Sequence, residues 1–513
     1  MIDPMMKDMN KVLKLKKVST LLVGLMALSY LTACNNPPPP APAVLPVDNL
    51  VLICIDTVGS DAFFSSRIDD ALARRLGTSQ RYINASSVAP WTIPGVASTL
   101  TGLYPVQHGA GKFETKVANL AVDLPSALVD SAVTLAEMLN ENQFRTGAVS
   151  AHPWFTAGFG LEQGFKQLYA HKGWKKVVEK FNIWLDQPQK QVAPPKRFFG
   201  YLHLMEAHDW HLKSRAEMDE RMSGVDPELR KQLLADSSAE ACVDEASDIC
   251  QRNLVYNLAI RELRGAIDSV LQGLEERQLL DSTLVMVYSD HGEEFWEHKQ
   301  EHHQRGDPRG IYGFGHGQSL YQELLHVPLV AWHPGIEGAV RQDLVSLIDV
   351  VPSALSWLGL NQADGQLPGI VMPAGMDPVS GDKSERKIYA SGIAYGSEAI
   401  AAREGHLKSI MQYSDESFAY FDLDKDPGEK HPIQNDSLTM RFDVLTGDYV
   451  DLSRESLAIR PELDAETLEH LKSIGYLQGV EEQPERKAEE TPSKKPSLDD
   501  GSDKPDPEGS PDS

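Results

Sequence analysis

Four polar residues in this sequence, Asp56, Thr92, Asp290 and His291, stand where the local pattern predicts a strand or a helix to begin or end. Two carboxylates, one imidazole and one hydroxyl can together hold a divalent cation and leave room for a substrate oxygen. A cation also offsets the weakness of threonine as a nucleophile, because it stabilises the alkoxide. The set therefore predicts metal-assisted attack by Thr92 on an anionic substrate.

The hydroxyl of Thr92 lies in the stretch 90–102, which predicts a loop that leads into a short helix. Pro94 suits the first turn of that helix, where its missing N–H is no loss, and Gly102 suits the C-terminal end. The free N–H groups at a helix N-terminus favour an anion. We expect Thr92 at an accessible helix mouth; the alternative interpretation is an ordinary helix cap.

Continuous apolar runs predict the strands that carry these residues. Residues 49–55 form one run, which ends at Asp56, and residues 282–288 form another, which ends just before Asp290. A third run covers residues 198–205. Such runs are typical of interior strands covered on both faces. Because ligands bind beyond the carboxyl ends of the strands in open α/β sheets, we interpret Asp56 as a ligand, with helix capping as the alternative.

Amphipathic segments between these runs predict helices at 134–141, 254–279 and 344–358, and residues 147–150 predict a further strand. Alternation of strands and helices indicates a parallel sheet with helices on both faces. The sequence therefore predicts the α/β class for the larger part of the chain.

The C-terminal part has a different pattern. After about residue 387 it contains short strand-like runs, which predict a small antiparallel sheet, and a helix is predicted at 465–473. Residues 479–513 contain almost no apolar side chains and predict a disordered acidic tail. The short runs are 388–390, 407–411 and 418–421.

The N-terminus has the features of an export signal. Several lysines precede an apolar run at 18–31, which is short for a membrane span and suits a signal peptide. The run leads into Leu31-Thr32-Ala33-Cys34, which resembles a bacterial lipobox. We therefore expect lipid attachment at Cys34, a stiff proline-rich spacer at 37–43, and anchoring to a membrane of the bacterial cell envelope, with the domain periplasmic or surface-exposed.

Composition limits the partners and the redox state. A formal net charge of -25 argues against nucleic-acid binding, which needs a basic face. Cys54 lies in an apolar run and is expected to be a buried thiol. Cys242 and Cys250 enclose a short acidic loop, and export favours a disulfide between them.

Several motifs, taken in chain order, resemble those of the sulfatases within the alkaline phosphatase superfamily. The resemblance runs from residue 49 to about residue 477. It implies an alkaline-phosphatase-like α/β sandwich, with a central, mostly parallel sheet flanked by helices and a small C-terminal antiparallel sheet subdomain. The motifs are Asp56-Thr57, Leu100-Thr101-Gly102-Leu103-Tyr104-Pro105, His108-Gly109, Leu202-His203-Leu204-Met205-Glu206-Ala207-His208, Ser289-Asp290-His291-Gly292-Glu293, Gly315-His316-Gly317-Gln318-Ser319-Leu320-Tyr321, Tyr420-Phe421-Asp422-Leu423, Asp426-Pro427-Gly428-Glu429 and Leu471-Lys472-Ser473-Ile474-Gly475-Tyr476-Leu477.

These patterns divide the chain into five parts. They are a lipoprotein signal peptide at 1–33, a proline-rich spacer at 34–46, a sulfatase-like catalytic domain at 47–365, a C-terminal subdomain at 366–478 and the tail at 479–513.

The chain departs from the sulfatase pattern at the nucleophile. Sulfatases that use formylglycine carry Cys or Ser, a variable residue, Pro, a small residue and Arg, whereas this chain has Thr92-Ile93-Pro94-Gly95-Val96. Threonine is not the usual precursor of that aldehyde, and Val96 replaces the Arg that supports it. The frame is similar to that of the Thr-nucleophile phosphatases, phosphodiesterases and phosphoethanolamine transferases. Thr57 also replaces a second metal-binding Asp found in many sulfatases.

The resemblance implies a metal-dependent hydrolase of phosphate or sulfate esters that uses zinc, manganese or calcium. Two histidines, His208 and His316, fall where the family keeps substrate-binding or leaving-group residues, and His316 could equally bind a second metal. The expected partners are an anionic ester and, through the N-terminal lipid, a membrane. The metal ligands would be Asp56, Thr92, Asp290 and His291.

Two other functions remain open at this stage. One is a phosphotransferase that acts on a lipid or a cell-wall polymer, and the other is a non-catalytic binding protein with a decayed site. We also expect His298, His302 and His303 to lie in a solvated loop over the site entrance.

Overall fold

The computed structural model describes residues 47–65, 67–111, 125–155, 158–187, 197–208, 210, 213–301, 313–360, 367–375, 386–452, 469 and 473. Four predictions about the two ends of the chain lie outside the described residues: the signal peptide, lipidation at Cys34, the proline-rich spacer and the acidic tail. The predicted helix at 465–473 is described only at Glu469 and Ser473, which are helical.

The strands form a large central sheet, a two-stranded ribbon and a small separate sheet. In chain order the first eleven are β1 (Asn49–Ile55), β2 (Gln80–Ser86), β3 (Arg145–Ser150), β4 (Gln167–Ala170), β5 (Phe198–Leu204), β6 (Thr283–Tyr288), β7 (Glu294–Phe295), β8 (Phe314–Gly315), β9 (His326–Trp332), β10 (Ala339–Arg341) and β11 (Val345–Ser346).

The central sheet is mixed but mostly parallel, as predicted. Its strand order is β10-β2-β9-β6-β1-β5-β3-β4, and β11 also pairs with β2. β1 lies in the middle, parallel to both β5 and β6. β9 runs antiparallel to its neighbours β2 and β6. The ribbon of β7 and β8 is antiparallel and lies apart from the sheet.

Helices flank the central sheet on both faces, and the last one, α12, packs on the small sheet instead. The helices are α1 (Ser60–Phe63), α2 (Ala71–Leu76), α3 (Thr92–Thr101), α4 (Pro105–His108), α5 (Leu135–Glu141), α6 (Trp174–Leu185), α7 (Arg215–Ser223), α8 (Pro227–Asp236), α9 (Asp248–Glu276), α10 (Gln322–Leu325), α11 (Val350–Trp357) and α12 (Asp436–Asp451).

The side chains of β1 alternate between the two faces of the central sheet, which explains why helices cover both faces. Leu50, Leu52 and Cys54 belong to a core shared with α3, whereas Val51 and Ile53 belong to a second core shared with α9. Successive side chains of a strand point to opposite faces, so an entirely apolar strand needs cover on both. The prediction of an interior strand at 49–55 is confirmed, and Cys54 is a buried free thiol.

The predicted helix at 344–358 is wrong in its first half. Val345 and Ser346 form β11, a 3-10 turn covers Leu347–Asp349, and α11 begins at Val350. The backbone N–H of Ser346 donates to the Asp349 carboxylate at 2.8 Å, which shapes the turn. A short buried strand and a buried helix are both apolar, so hydrophobic periodicity does not separate them.

The C-terminal part forms the predicted small antiparallel sheet, with an additional strand that the sequence did not reveal. The four strands are β12 (Lys387–Ala390), β13 (Ala399–Glu404), β14 (Leu407–Gln412) and β15 (Phe418–Asp422). The strand order is β12-β13-β14-β15, and α12 packs on this sheet through Phe442 and Leu445.

A disulfide joins Cys242, which precedes α9, to Cys250, which lies in the first turn of α9.

None of the helices among the described residues combines the length and the apolar composition that crossing a bilayer requires.

Candidate functional site

The two carboxylates meet because their strands are neighbours. β1 and β6 are parallel, and Cys54 lies opposite Tyr288. Asp56 and Asp290 each follow two residues later, so both side chains reach the same edge of the sheet. With His291, they offer ligand atoms that lie within 4.8 Å of one another, and all three residues are buried. This is the candidate metal site that the sequence predicted.

The tautomer of His291 suits metal binding. Its Nδ1–H donates to the carbonyl oxygen of Gly292 at 2.9 Å, because a carbonyl can only accept. The lone pair of the neutral ring is therefore on Nε2, which lies 3.6 Å from Asp56 Oδ1 and 3.6 Å from Asp290 Oδ2. Burial lowers the pKa of His291 to about 4, which keeps the ring neutral. Metal-binding histidines are commonly oriented by such a bond.

The charge balance of the site also fits a cation. Burial and the neighbouring carboxylate of Asp56 raise the pKa of Asp290 to about 8. Asp290 Oδ2 has no hydrogen-bond partner among the described residues. No described lysine or arginine forms an ion pair with either carboxylate. A divalent ion would supply the missing positive charge and a partner for that oxygen.

Asp56 is held in place by two residues to which the sequence assigned no supporting role. His203 Nε2–H donates to Asp56 Oδ2 at 2.8 Å, and the hydroxyl of Thr57 donates to Oδ1 at 2.5 Å. Burial alone would raise the pKa of Asp56, but the bond from His203 and the nearby imidazoles of His208 and His291 hold it well below its usual range. Asp56 is therefore ionised and available to bind a cation.

Thr57 has a strained backbone at this point, with φ of 67°. A β-branched residue rarely adopts this left-handed conformation, and it persists only where the surroundings enforce it. Here the carbonyl oxygen of Thr57 accepts a bond from the Tyr256 hydroxyl at 3.0 Å. Its N–H approaches Asp290 Oδ1 at 3.4 Å. A strained backbone that neighbouring residues hold in place is typical of a functional site.

Thr92 lies in the site, but not in the environment that we expected. α3 begins at Thr92, with Trp91 in the capping position, and Gly102 ends the helix in the left-handed conformation. The expectation of an accessible helix mouth is wrong, because Thr92 is fully buried. Thr92 Oγ1 lies 3.3 Å from His291 Nε2, which places the hydroxyl beside the candidate metal ligands.

Gly95 explains how α3 approaches the edge of the sheet so closely. A Cβ atom at this position would lie 2.7 Å from the carbonyl oxygen of Asp290. That distance is far below an ordinary contact, so a larger residue would push the helix and Thr92 away. The small residue after Pro94 is thus required by packing at the site.

Both predicted leaving-group histidines are buried at the same place. The ring centroid of His316 is 5.0 Å from that of His208 and 4.5 Å from that of His291. Nδ1–H of His316 donates to Glu293 Oε2 at 3.0 Å. The structure therefore brings together all six residues that the sequence singled out: Asp56, Thr92, His208, Asp290, His291 and His316.

Three neighbouring residues were missed as functional candidates. His152 stacks edge-on against His203, with ring centroids 5.4 Å apart. His203 and Glu293 contact Asp56 and His316, respectively. One signal was available for His203, since a histidine near the end of a fully buried strand needs a polar partner. Glu293 and His152 follow from tertiary contacts alone.

The prediction for His298 is wrong. This residue is buried rather than solvated, its Nδ1 lies 2.6 Å from Glu323 Oε1, and its ring stacks on Tyr321. Burial would lower the pKa of His298, but the bond to Glu323 outweighs it and raises the pKa. His302 and His303 lie outside the described residues.

The sequence matches a protein family over more than half of its length and individual relatives over shorter segments. A sequence model named Sulfatase matches residues 48–360. Human arylsulfatase K is 25% identical over 185 residues, which are 34% of this chain and 32% of that protein. Human arylsulfatase D is 24% identical over 246 residues, 40% of each chain. The matched segments thus span well under half the length of these curated relatives.

Solved structures share the fold. The structure of BT4656 in complex with its substrate D-glucosamine-2-N,6-O-disulfate has a TM-score of 0.57 and 14% identity, covering 83% of this chain and 98% of that one. The phosphonate monoester hydrolase of Agrobacterium radiobacter has a TM-score of 0.55 and 16% identity, covering 79% and 95%. Since the family match covers more than half of the chain, the protein belongs to the Sulfatase family.

Proposed function

We propose that the protein is a metal-dependent hydrolase of sulfuric or phosphorus esters that uses Thr92 as its nucleophile. The observation that carries this proposal is the distance of 3.3 Å from Thr92 Oγ1 to His291 Nε2, at the edge where Asp56 and Asp290 also meet. A helix N-terminus, a hydroxyl and a candidate metal site converge there, which is the arrangement that displacement at an anionic centre requires.

Asp56, Asp290, His291 and Thr92 would hold the metal. Two carboxylates, one imidazole and one hydroxyl fit zinc, manganese or calcium. When bound, the ion supplies positive charge that stabilises an anionic ester and lowers the free-energy cost of ionising a hydroxyl.

Side chains of the protein carry out the nucleophilic attack and the proton transfer. With its hydroxyl ionised, Thr92 Oγ1 forms a bond to sulfur or phosphorus, and the bond to the leaving oxygen breaks with its electron pair on that oxygen. His208 or His316 gives the leaving oxygen a proton. Water then gives one proton to the same histidine and attacks the covalent Thr92 ester, which releases the acid and leaves Thr92 ionised for the next turnover. Complete burial of Thr92 excludes bulk water from the first step.

The choice between sulfur and phosphorus depends on the nucleophile. Threonine in place of Cys or Ser, and Val96 in place of Arg, favour phosphorus. Two structural relatives support either chemistry, since one is described with a disulfated glucosamine as substrate and the other as a phosphonate monoester hydrolase. We expect monoesters of phosphonates and diesters of phosphate to be turned over at least as well as sulfate esters.

We also propose that the protein is anchored through lipid on Cys34 in the bacterial cell envelope, periplasmic or surface-exposed. The apolar run at 18–31 and the sequence Leu31-Thr32-Ala33-Cys34 support this. Fractionation of cells that express the full chain tests it. The wild type should sediment with membranes, whereas Cys34→Ala should not. A membrane-bound Cys34→Ala protein would contradict lipid attachment at this residue.

A substrate panel tests the catalytic proposal. Aryl sulfate, aryl phosphonate monoester, aryl phosphodiester and aryl phosphate are compared, with Thr92→Ala as the blank. Loss of the nucleophile should lower kcat/KM by on the order of 10⁴-fold or more. Metal affinity should fall much less, because three ligands remain. Undiminished turnover by Thr92→Ala would contradict the mechanism, and transfer of the sulfuryl, phosphoryl or phosphonyl group to an added alcohol instead of water would indicate a transferase.

A further inference from the structure

Arg403 is a buried arginine that lines a cavity and contacts no carboxylate of the described chain. We propose that this cavity binds a small zwitterion, an amino acid or a short peptide, whose carboxylate pairs with Arg403 and whose ammonium group pairs with Glu297. The proposal is independent of the proposed function, because the cavity lies apart from the candidate metal site and its test measures binding rather than turnover.

The cavity has a volume of about 740 Å³ and lies between the helices of the central sheet and the C-terminal part. Its walls include residues 59–62 at the start of α1, residues 236–238 at the end of α8, Phe295, Glu297 and the loop at 423–428 after β15. A volume of this size is typical of sites for small ligands. Of the described residues that line it, none is a candidate metal ligand, the nucleophile or a predicted leaving-group histidine.

Buried arginines elsewhere in the described chain have carboxylate partners. Arg264, which is 1% exposed, binds Asp70 through Nε at 2.7 Å. Arg341, which is 3% exposed, binds Asp343 through Nε at 2.8 Å. Arg403 is 9% exposed, but none of the described carboxylates lies within ion-pair distance of it. Because a buried charge without a direct partner destabilises the fold, its retention points to a ligand of opposite charge.

The guanidinium of Arg403 is held at the cavity wall by neutral acceptors. Nε–H donates to the carbonyl oxygen of Gly405 at 2.9 Å, and Nη2–H donates to Asn84 Oδ1 at 2.8 Å. Asn84 also lines the cavity, which places this end of the guanidinium at the cavity surface. Nη1 forms no hydrogen bond within the described residues, so Nη1 and the second N–H of Nη2 can bind both oxygens of a carboxylate. Burial lowers the pKa of Arg403 to about 10, which leaves it charged at neutral pH.

Two acidic residues lie near Arg403 but do not contact its guanidinium. Glu429 is bound by other groups, since its Oε1 lies 2.7 Å from Lys408 Nζ and its Oε2 accepts the N–H of Gln322 at 2.6 Å. Asp424 is exposed to solvent. Their charges favour the protonated guanidinium from a distance. Neither residue therefore competes with a ligand carboxylate for direct contact.

Glu297 is the corresponding acidic group of the same cavity. Its carboxylate accepts the backbone N–H of Phe295, and no described lysine or arginine forms an ion pair with it. Lys430 donates instead to the backbone carbonyl oxygen of Glu297. Burial and the neighbouring carboxylates of Glu323 and Glu294 raise the pKa of Glu297 to about 8. An ammonium group of a ligand would favour the ionised form, so binding should release a proton.

The rest of the cavity favours a zwitterion over a simple ion. A simple anion would be repelled by the several carboxylates that also line the cavity, and a simple cation would leave Arg403 without a partner. Amide side chains can donate to and accept from peptide groups. Five of them line the cavity: Asn84, Asn253, Asn257, Gln322 and Gln342. This combination suits a ligand with two charged ends and a polar backbone.

Binding of alanine peptides to the full chain tests the proposal. Alanine and its peptides of two to five residues carry the same two charged groups at separations that increase by about 3.5 Å per residue. Calorimetry should show the highest affinity at one length, because Arg403 and Glu297 are fixed by the fold. For that peptide, acetylation of the N-terminus and amidation of the C-terminus should each weaken binding by at least about 10-fold.

Two substitutions with matched controls assign the two ends. Arg403→Gln should weaken binding of the best peptide by about 30-fold or more. Arg67→Gln is its control, because Arg67 lines the same cavity but pairs with Asp236 and is 58% exposed, and it should change the affinity by less than about 3-fold. Glu297→Gln should weaken binding by about 10-fold. Asp61→Asn, in the same cavity but with a side chain that is 99% exposed, should leave the affinity within about 3-fold.

Proton release supplies a readout that a purely structural role would not change. Calorimetry at pH 7 in buffers of different ionisation enthalpy should show release of up to about one proton per bound peptide in the wild type, and none in Glu297→Gln. If Arg403→Gln fails to fold, Arg403→Lys replaces it, since it keeps the charge but loses the planar fork. It should weaken the free peptide by about 10-fold and leave the amidated peptide unchanged.

The outcomes separate the parts of the proposal. If no alanine peptide binds at concentrations up to about 10 mM, the site is overturned. Equal affinity for the acetylated peptide would remove Glu297 from the site, and equal affinity for the amidated peptide would remove Arg403; either result overturns the zwitterion. Equal losses in Arg403→Gln and Arg67→Gln would overturn the assignment of Arg403. None of these outcomes bears on the proposed hydrolase, which the substrate panel tests.

Discussion

The molecule buries charged groups in two regions, which differ in whether the chain supplies partners of opposite charge. Where the small sheet meets the rest of the chain, Lys408 Nζ lies 2.7 Å from Glu429 Oε1 and also donates to the Leu320 carbonyl at 2.7 Å. At the edge of the central sheet, Asp56 and Asp290 are equally buried, but no described lysine or arginine pairs with them. The first region balances its charges within the chain, whereas the second does not.

The difference indicates what each region is for. A buried pair whose partners are complete holds two parts of the fold together, although its net contribution to stability is modest. Two buried carboxylates without a cation destabilise the fold, and proteins retain such arrangements at functional sites. The strained backbone of Thr57 lies at the same edge. The uncompensated charge therefore marks the functional site better than burial does.

The largest effect on stability should come from breaking the balanced pair. Lys408→Met should lower the free energy of unfolding by about 3–5 kcal/mol, because Glu429 is left buried and unpaired. Urea denaturation checks this, with Lys425→Met as the control. Lys425 also contacts an aspartate, Asp422, but its side chain is 84% exposed, so the loss should be far smaller than for Lys408→Met. Equal effects of the two substitutions would contradict a balanced buried pair.

A substitution at the edge of the central sheet should instead increase the free energy of unfolding. Asp290→Asn should raise the free energy of unfolding of the metal-free protein by about 2 kcal/mol at pH 8, because it removes the repulsion between two buried carboxylates. It should also abolish the stabilisation by added metal. Asp61→Asn, at a side chain that is 99% exposed, is the control. A loss of metal-free stability in Asp290→Asn would remove the distinction between the regions.

The pH dependence follows from the same carboxyl group. The pKa of Asp290 is raised from an ordinary 3.8 to about 8 in the folded protein, first by burial and then by Asp56. Its contribution to stability is therefore complete below about pH 4 and is lost as the pH rises to about 8. The advantage of Asp290→Asn over the wild type should widen over that interval in chelator. A constant difference would show that Asp290 does not titrate in this way.

A smaller effect, on metal affinity, is expected from residues that contact the candidate metal ligands without binding the metal themselves. His203→Phe removes the donor to Asp56 Oδ2 and should weaken zinc or manganese binding by about 10-fold in a calorimetric titration. Tyr201→Phe removes only the hydroxyl that lies 3.0 Å from His203 Nδ1, and should change the affinity by less than about 3-fold. Unchanged affinity in His203→Phe would show that Asp56 is positioned without it.

Much of the site could be predicted because its residues occupy strand and helix ends. Asp56 and Asp290 follow apolar runs, and parallel neighbouring strands end at one edge, so their meeting follows from the pattern. Pro94 and Gly102 likewise indicated α3. The resemblance to sulfatases placed His208 and His316, which local pattern alone does not do.

What the sequence could not reveal depends on contacts between distant segments. Glu293 acquires a partner through the pairing of β7 with β8, whose strands have two residues each and leave no periodic signal. The burial of Thr92 depends on packing around α3 as a whole. The strand at Val345–Ser346 is too short to distinguish from a helical segment. The predicted division into domains stays a prediction.

The most direct test of the account is to locate the covalent intermediate. Metal-loaded protein is mixed with the best ester of the panel, quenched in acid within milliseconds to seconds, digested, and sequenced by tandem mass spectrometry. The account predicts an added sulfuryl, phosphoryl or phosphonyl group on Thr92, and no such adduct in Thr92→Ala. An adduct on any other side chain would contradict Thr92 as the nucleophile.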